Sequence, residues 1–174
     1  MLEIEVKAKV ASHDEIERKV FASGGVFLKQ VREDDEYFNH PSRDFRETHE
    51  AFRIRTTDNG SAVTYKGPVL PGTAKSREES ETGVDEPSVM RRILVSLGFV
   101  PSGRVVKTRR EYRVSDCVIT LDHIDNLGDF VEIERVGENK AELEKEVLRL
   151  AAEFGITDFE RRSYLELVLA AGTR

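Results

Sequence analysis

Apolar and polar residues alternate with a period of two along much of the chain. In the opening MLEIEVKAKV, Leu2, Ile4, Val6, Ala8 and Val10 fall on one face of an extended strand, and Glu3, Glu5, Lys7 and Lys9 on the other. Strand character returns at roughly 26–38, 51–57, 61–67, 74–83, 104–114, 116–123 and 129–135. Asp58-Asn59-Gly60 and Ser115-Asp116 are short turns, so the strands they join pair antiparallel.

Helical spacing interrupts the meander. Ser12-His13-Asp14-Glu15 reads as a capping box opening a helix through Ile16 and Val20, stopped by Gly24-Gly25. A second helix starts near Pro87 and places Met90, Ile93, Leu94 and Leu97 on one stripe. A third presents Leu143, Val147, Leu150, Ala151 and Phe154 and ends at Gly155, and a last, near 163–171, is apolar enough to pack against the body. The class is α+β: one continuous domain over 1–174, with an antiparallel sheet closed or nearly closed into a barrel and helices outside it.

Several strands pair an apolar face with a charged one. Arg53 and Arg55 oppose Phe52 and Ile54; Thr64 and Lys66 oppose Val63 and Tyr65; Lys75, Arg77, Glu79 and Glu81 share one parity. Lys107, Arg109, Glu111 and Arg113 share a face against Val106, Tyr112 and Val114. Thr120 and Asp122 oppose Cys117, Ile119 and Leu121, and Glu132 and Glu134 oppose Val131 and Ile133, with Phe130 the one large apolar residue on that charged side. In a curved sheet the apolar faces point either inward, as in a lipocalin-like barrel with its charges solvated, or outward; four amphipathic helices that need apolar surface to cover favour the outward arrangement, with the charges lining a tunnel.

A charged lumen is costly unless its charges compensate one another or hold a ligand. Lys7, Arg53, Arg55, Lys66, Arg77, Lys107 and Arg109 suit a polyanion, the arginine forks matching phosphate oxygens. Glu3, Glu5, Asp122, Glu132 and Glu134 suit a hard divalent cation, Mg²⁺ or Mn²⁺, which takes oxygen ligands and phosphates together. The two sets describe a metal-assisted phosphate site; the plain alternative is an internal salt-bridge lattice without ligand.

Composition narrows the classes further. Of 174 residues 34% are charged, with a net charge of −6, which argues against a general nucleic-acid binder. One cysteine, Cys117, excludes an internal disulfide, and it falls on an apolar face. Neither a signal-peptide core nor an apolar run of about 20 residues is present, so the reading is a cytoplasmic protein away from membranes. No phosphate-binding loop motif occurs, and the four histidines show no zinc spacing. The run Gly67-Pro68-Val69-Leu70-Pro71-Gly72 reads as a mobile strand connection, and Tyr37 and Phe38 as core residues or the wall of a base pocket.

Glu3-Ile4-Glu5-Val6-Lys7 resembles the E-x-E-x-K opening of the CYTH superfamily, the triphosphate tunnel enzymes. So do, in order, the stretches Asp35 to Pro41, Arg43-Asp44-Phe45, Glu50 to Arg55, Thr64-Tyr65-Lys66-Gly67-Pro68, Lys107-Thr108-Arg109, Leu121-Asp122, Leu127 to Glu134 and Arg162 to Leu167. The Pro-x-Arg-Asp-Phe and Thr-Tyr-Lys-Gly-Pro runs are similar to the class IV adenylyl cyclase branch. The resemblance implies an eight-stranded tunnel in which Glu3, Glu5, Asp122, Glu132 and Glu134 hold Mg²⁺ or Mn²⁺. Lys7, Arg53, Arg55, Lys66, Lys107 and Arg109 grip a triphosphate, Arg77 and Glu79 or Glu81 support them, and Glu3, Glu5 and Lys7 serve the chemistry, Lys7 orienting or deprotonating the nucleophile. It also implies a homodimer and a substrate such as ATP, inorganic triphosphate or thiamine triphosphate. Cyclase, triphosphatase and a non-catalytic polyphosphate or nucleotide-binding module remain the alternatives. The pattern departs at Ser80, where an aromatic or aliphatic residue is expected.

Overall fold

The computed structural model describes residues 2–172. Its strands are β1 (Leu2–Lys9), β2 (Val26–Asn39), β3 (Ala51–Thr57), β4 (Gly60–Lys66), β5 (Lys75–Gly83), β6 (Val100–Val114), β7 (Cys117–Ile124) and β8 (Gly128–Gly137). They close into one antiparallel barrel in the order β1-β5-β4-β3-β2-β6-β7-β8, so no strand edge is left open. The helices are α1 (His13–Ala22), α2 (Phe45–Thr48), α3 (Pro87–Ser96), α4 (Lys140–Glu153) and α5 (Tyr164–Gly172).

The apolar faces point outward, as the alternation requires. Ile4, Val6, Ala8, Ile119, Leu121, Val131 and Ile133 form the outer wall of β1, β7 and β8, and α1 and α4 bury it with Ile16, Val20, Val147 and Leu150. Each of the isoleucine, leucine and valine side chains, fully buried, contributes about 1.5–3 kcal/mol relative to exposure. Gly25 is wedged between the last turn of α1 and β6: a Cβ there would meet Val20 Cγ1 at 2.5 Å, the Val20 carbonyl oxygen at 2.6 Å and Val114 Cγ2 at 3.0 Å. A smaller cluster of Phe38, Ile54 and Leu94 lies under α3.

Several local expectations change. Ser12 caps α1, accepting from the Asp14 amide at 3.1 Å, but Glu15 pairs with Lys19 at 2.7 Å, so the reciprocal half of the capping box does not form. On α3 only Leu94 is buried, with Met90 partly buried against the same cluster; Ile93 and Leu97 stay exposed. β6 begins at Val100, since β2 carries its pairing through Asn39 with a register shift at Tyr37/Phe38 that accommodates Pro101. Ser80 sits in regular register opposite Tyr65. α5 differs most. Its first residue, Tyr164, lines the barrel interior and packs edge-on against Phe130 at 5.3 Å, which accounts for the lone apolar residue on the charged side of β8. Tyr37, Val105, Ile124 and Leu167 complete this inner apolar cluster.

Candidate functional site

Because side chains alternate along each strand, every odd-numbered residue of β1 from Glu3 to Lys7 points into the barrel, and its antiparallel neighbours meet it there. Glu5 is the cross-strand partner of Glu134 and Lys7 of Glu132 on one side; Glu3 faces Arg77 and Glu5 faces Lys75 on the other. Around the ring, Arg53 and Arg55 enter from β3, Lys66 from β4, and Lys107 and Arg109 from β6. All the sequence-predicted site residues therefore line one lumen except Asp122, which stands fully buried behind Arg109.

The cavity between these groups measures about 60 Å³, room for a few water molecules. Ion pairs fill the rest. Lys66 reaches both oxygens of Glu3 at 2.9 Å and Glu79 at 2.7 Å, and Lys75 lies 3.5 Å from Glu5. Arg109 forks onto Asp122 at 2.7 and 2.6 Å and touches Glu132 at 2.6 Å. Tyr164 donates to Asp122 at 2.9 Å, and its ring lies 4.4 Å beneath the Lys7 ammonium.

Sequence reasoning passed over Glu33 and Asp35. They project inward from β2 inside the run Arg32-Glu33-Asp34-Asp35-Glu36, where both strand faces are charged and alternation carries no signal. Arg55 forks onto Asp35 at 2.7 and 2.8 Å; Lys107 touches Asp35 at 3.1 Å and Glu33 at 2.7 Å. Tyr164 and Lys75 were also left out of the candidate site, the first for lying in an apolar helix, although Lys75 has the parity of Arg77.

The electrostatics divide the lumen. Burial works to raise Glu5, but Lys75, Lys66, Lys7 and Arg77 overcome it and hold the carboxyl well below its usual range. Asp35 is likewise held low against burial by Arg55, Arg53 and Lys107, and Glu33 is held at about 2 by Arg109, Lys107 and Arg55. Burial pushes Glu3 up to about 8 despite Lys66. Burial also pushes Glu134 up to about 7, with Arg109 and Lys66 opposing and Glu132 and Glu5 adding to the rise. Glu134 has no hydrogen-bond or ion-pair partner among the described residues. Neither does the guanidinium of Arg77, although it is only 8% exposed; its Nε is a buried donor with nothing to bond.

No group of three or more acidic, histidine or cysteine side chains stands at metal-holding spacing among the described residues. The donor chemistry still fits a hard cation. Glu5, Glu132 and Glu134 line adjoining positions of β1 and β8, all offer oxygen, and Glu134 makes no hydrogen bond or ion pair with the described residues.

A second cavity of about 820 Å³ adjoins the lumen and shares Tyr37, Ala51, Lys75, Arg77 and Ser163 with it. Phe38, Phe45, Phe52, Val69, Leu70 and Leu165 give it an apolar wall, with His40, His49, Arg46 and Arg162 at polar positions. The connection at 67–74 is tied down beside it: Glu144 accepts from the Thr73 and Ala74 amides at 2.7 and 2.9 Å, and Arg161 donates to the Thr73 carbonyl at 3.0 Å.

Comparison with known proteins agrees with this geometry. A Methanocaldococcus jannaschii protein whose name carries adenylate cyclase as a provisional assignment is 36% identical over 173 residues, covering 96% of this chain and 98% of its own. The solved structure of the PH1819 protein of Pyrococcus horikoshii superposes with a TM-score of 0.86 at 39% identity, covering 97% of this chain and 98% of that one. A Hippeastrum protein, described as a provisional adenylyl cyclase with a dominant triphosphatase activity, shares the fold at a TM-score of 0.69 and 21% identity, covering 97% of this chain and 95% of that one. The family model for the CYTH domain matches residues 1–164, so an eight-stranded barrel with an ionic interior is here the fold of a chain that belongs to the CYTH family.

Proposed function

We propose that the tunnel binds a nucleoside triphosphate together with Mg²⁺ or Mn²⁺ and acts as a class IV-type adenylyl cyclase, converting ATP to cyclic AMP and pyrophosphate. One observation carries the reading: a buried guanidinium, Arg77, and a partly buried carboxylate, Glu134, line the same lumen and neither has a hydrogen-bond or ion-pair partner among the described residues. A bare salt-bridge lattice has no reason to leave one charge of each sign unpaired. A polyanion beside Arg77 and a divalent cation beside Glu134 satisfy both.

In this reading Arg53, Arg55, Lys66, Arg77, Lys107 and Arg109 neutralise the phosphate oxygens, and Lys75 joins them from the junction with the larger cavity. Glu5, Glu132 and Glu134 hold the cation, with Glu3 adjoining through Lys66 and Asp122 fixing Arg109. The cation supplies charge neutralisation on the phosphates and lowers the barrier to forming the attacking alkoxide. Lys7, wedged between Glu132 and the Tyr164 ring, orients the nucleophile. The ribose 3′-hydroxyl attacks the α-phosphorus, a new O–P bond forms, the bond to pyrophosphate breaks, and the hydroxyl proton passes to solvent water. The cations hold the leaving pyrophosphate.

The cavity at the Lys75–Arg77 junction supports an organic triphosphate over an inorganic one, since its apolar wall of Phe38, Phe45, Phe52 and Leu165 matches a base and sugar. The triphosphatase reading draws on the activity described for the Hippeastrum protein; there water attacks the terminal phosphorus in the same electrostatic setting. A single buried cysteine supports the cytoplasm as the place of action.

Incubation with ATP and Mg²⁺ or Mn²⁺, followed by chromatography of the nucleotides, tests the proposal. Cyclic AMP with equimolar pyrophosphate is the expected result. Phosphate release without a cyclic product assigns the chain to the triphosphatases, and tight binding without turnover under any divalent metal assigns it to the non-catalytic binders.

A further inference from the structure

Four cations of the lumen, Arg53, Arg55, Lys107 and Arg109, converge on two carboxylates that do not themselves line the cavity. Asp35 is fully buried and Glu33 nearly so, and both sit behind the cations as seen from the lumen. Asp35 takes both the Nε and an Nη of Arg55, the Lys107 ammonium, and Arg53 at 3.5 Å. Glu33 lies 2.7 Å from Lys107, 3.0 Å from Arg55 and 3.9 Å from Arg109.

This placement has two physical effects. It fixes the orientation of side chains that would otherwise repel one another and rotate freely, because a forked guanidinium has one geometry. It also cancels part of the positive charge that the same side chains present to an incoming anion.

We propose that Glu33 and Asp35 are positioning residues that hold the cation fan in register and attenuate its charge, so that a polyphosphate is bound in the reactive alignment and its polyphosphate product is released. The inference rests on the reading of the lumen as a triphosphate site. It separates affinity from turnover. Without one carboxylate the fan carries more net positive charge and grips polyanions harder, yet it holds them in a looser alignment and lets go of them more slowly.

The test uses the whole chain and the isosteric variants Asp35→Asn and Glu33→Gln, the latter lacking a forked partner and so perturbing the fold least. Calorimetric titration with inorganic triphosphate at fixed ionic strength gives affinity; saturation kinetics with the triphosphate that the wild type consumes give kcat and KM; melting curves restrict both to folded protein. The expected result is at least about threefold tighter triphosphate binding with at least about tenfold lower kcat, a split that loss of structure does not produce. Affinity that weakens or stays the same, or turnover that keeps its wild-type value, overturns the inference. A wild type that binds no triphosphate overturns instead the functional reading beneath it.

Discussion

The Tyr164 phenol donates to the Asp122 carboxylate at 2.9 Å, and that carboxylate is the one Arg109 grips with both arms of its guanidinium. A residue near the end of the chain thus holds a lumen cation through an intermediary on β7. The same ring lies under Lys7 and, at 5.8 Å, under Lys107. α5 therefore organises part of the cation set while closing off part of the barrel.

Tyr164→Phe keeps the ring, its packing on Phe130 and its contact with the two ammoniums, and removes the hydroxyl alone. The expected cost in stability is small, about 1 kcal/mol for one lost hydrogen bond. KM for the triphosphate should rise several-fold, because Asp122 then anchors Arg109 with one support fewer. Tyr164→Leu should be worse in both respects, and comparison of steady-state kinetics for the two variants separates hydroxyl from ring.

Arg77 has no hydrogen-bond or ion-pair partner among the described residues, and its charge acts on the fold only through its attraction for Glu5. Arg77→Gln is expected to change the melting temperature little, since the desolvation cost of the buried guanidinium and its attraction for Glu5 oppose each other. Triphosphate affinity should fall by about 2 kcal/mol, roughly thirtyfold. Melting curves with and without inorganic triphosphate check both halves: a variant that melts early without ligand contradicts the reading.

Glu134→Gln probes the other unpaired charge. Stability without ligand should hold, whereas the concentration of Mn²⁺ needed for half-maximal turnover should rise at least about tenfold, in keeping with the loss of one anionic oxygen ligand. An unchanged metal requirement would remove Glu134 from the proposed cation site.

Acid stability follows from Glu33. Its folded-state carboxyl is held at about 2 against an ordinary value of 4.5, so its contribution is present above pH 4.5 and is lost as the pH falls toward 2. Glu33→Gln should therefore lower the melting temperature at neutral pH, and the gap to wild type should close through the window between about 4.5 and 2. A gap that persists unchanged at the acid end assigns the effect to shape instead of charge.

Much of this molecule is written in its alternation of residue types. A period of two assigns Glu3, Glu5, Lys7, Arg53, Arg55, Lys66, Arg77, Lys107, Arg109, Glu132 and Glu134 to one side of their strands, and helices with apolar stripes leave that side facing inward. Where both faces of a strand are charged, as around Glu33 and Asp35, or where an inner residue sits in an apolar helix, as Tyr164 does, the period says nothing. Local chemistry settles which face a side chain takes, because that depends on neighbours two residues away. Which charge meets which is decided by barrel closure, which brings Lys66 to Glu3 and Lys107 to Asp35 across separations of 63 and 72 residues. The same closure leaves Arg77 and Glu134 without a hydrogen-bond or ion-pair partner among the described residues.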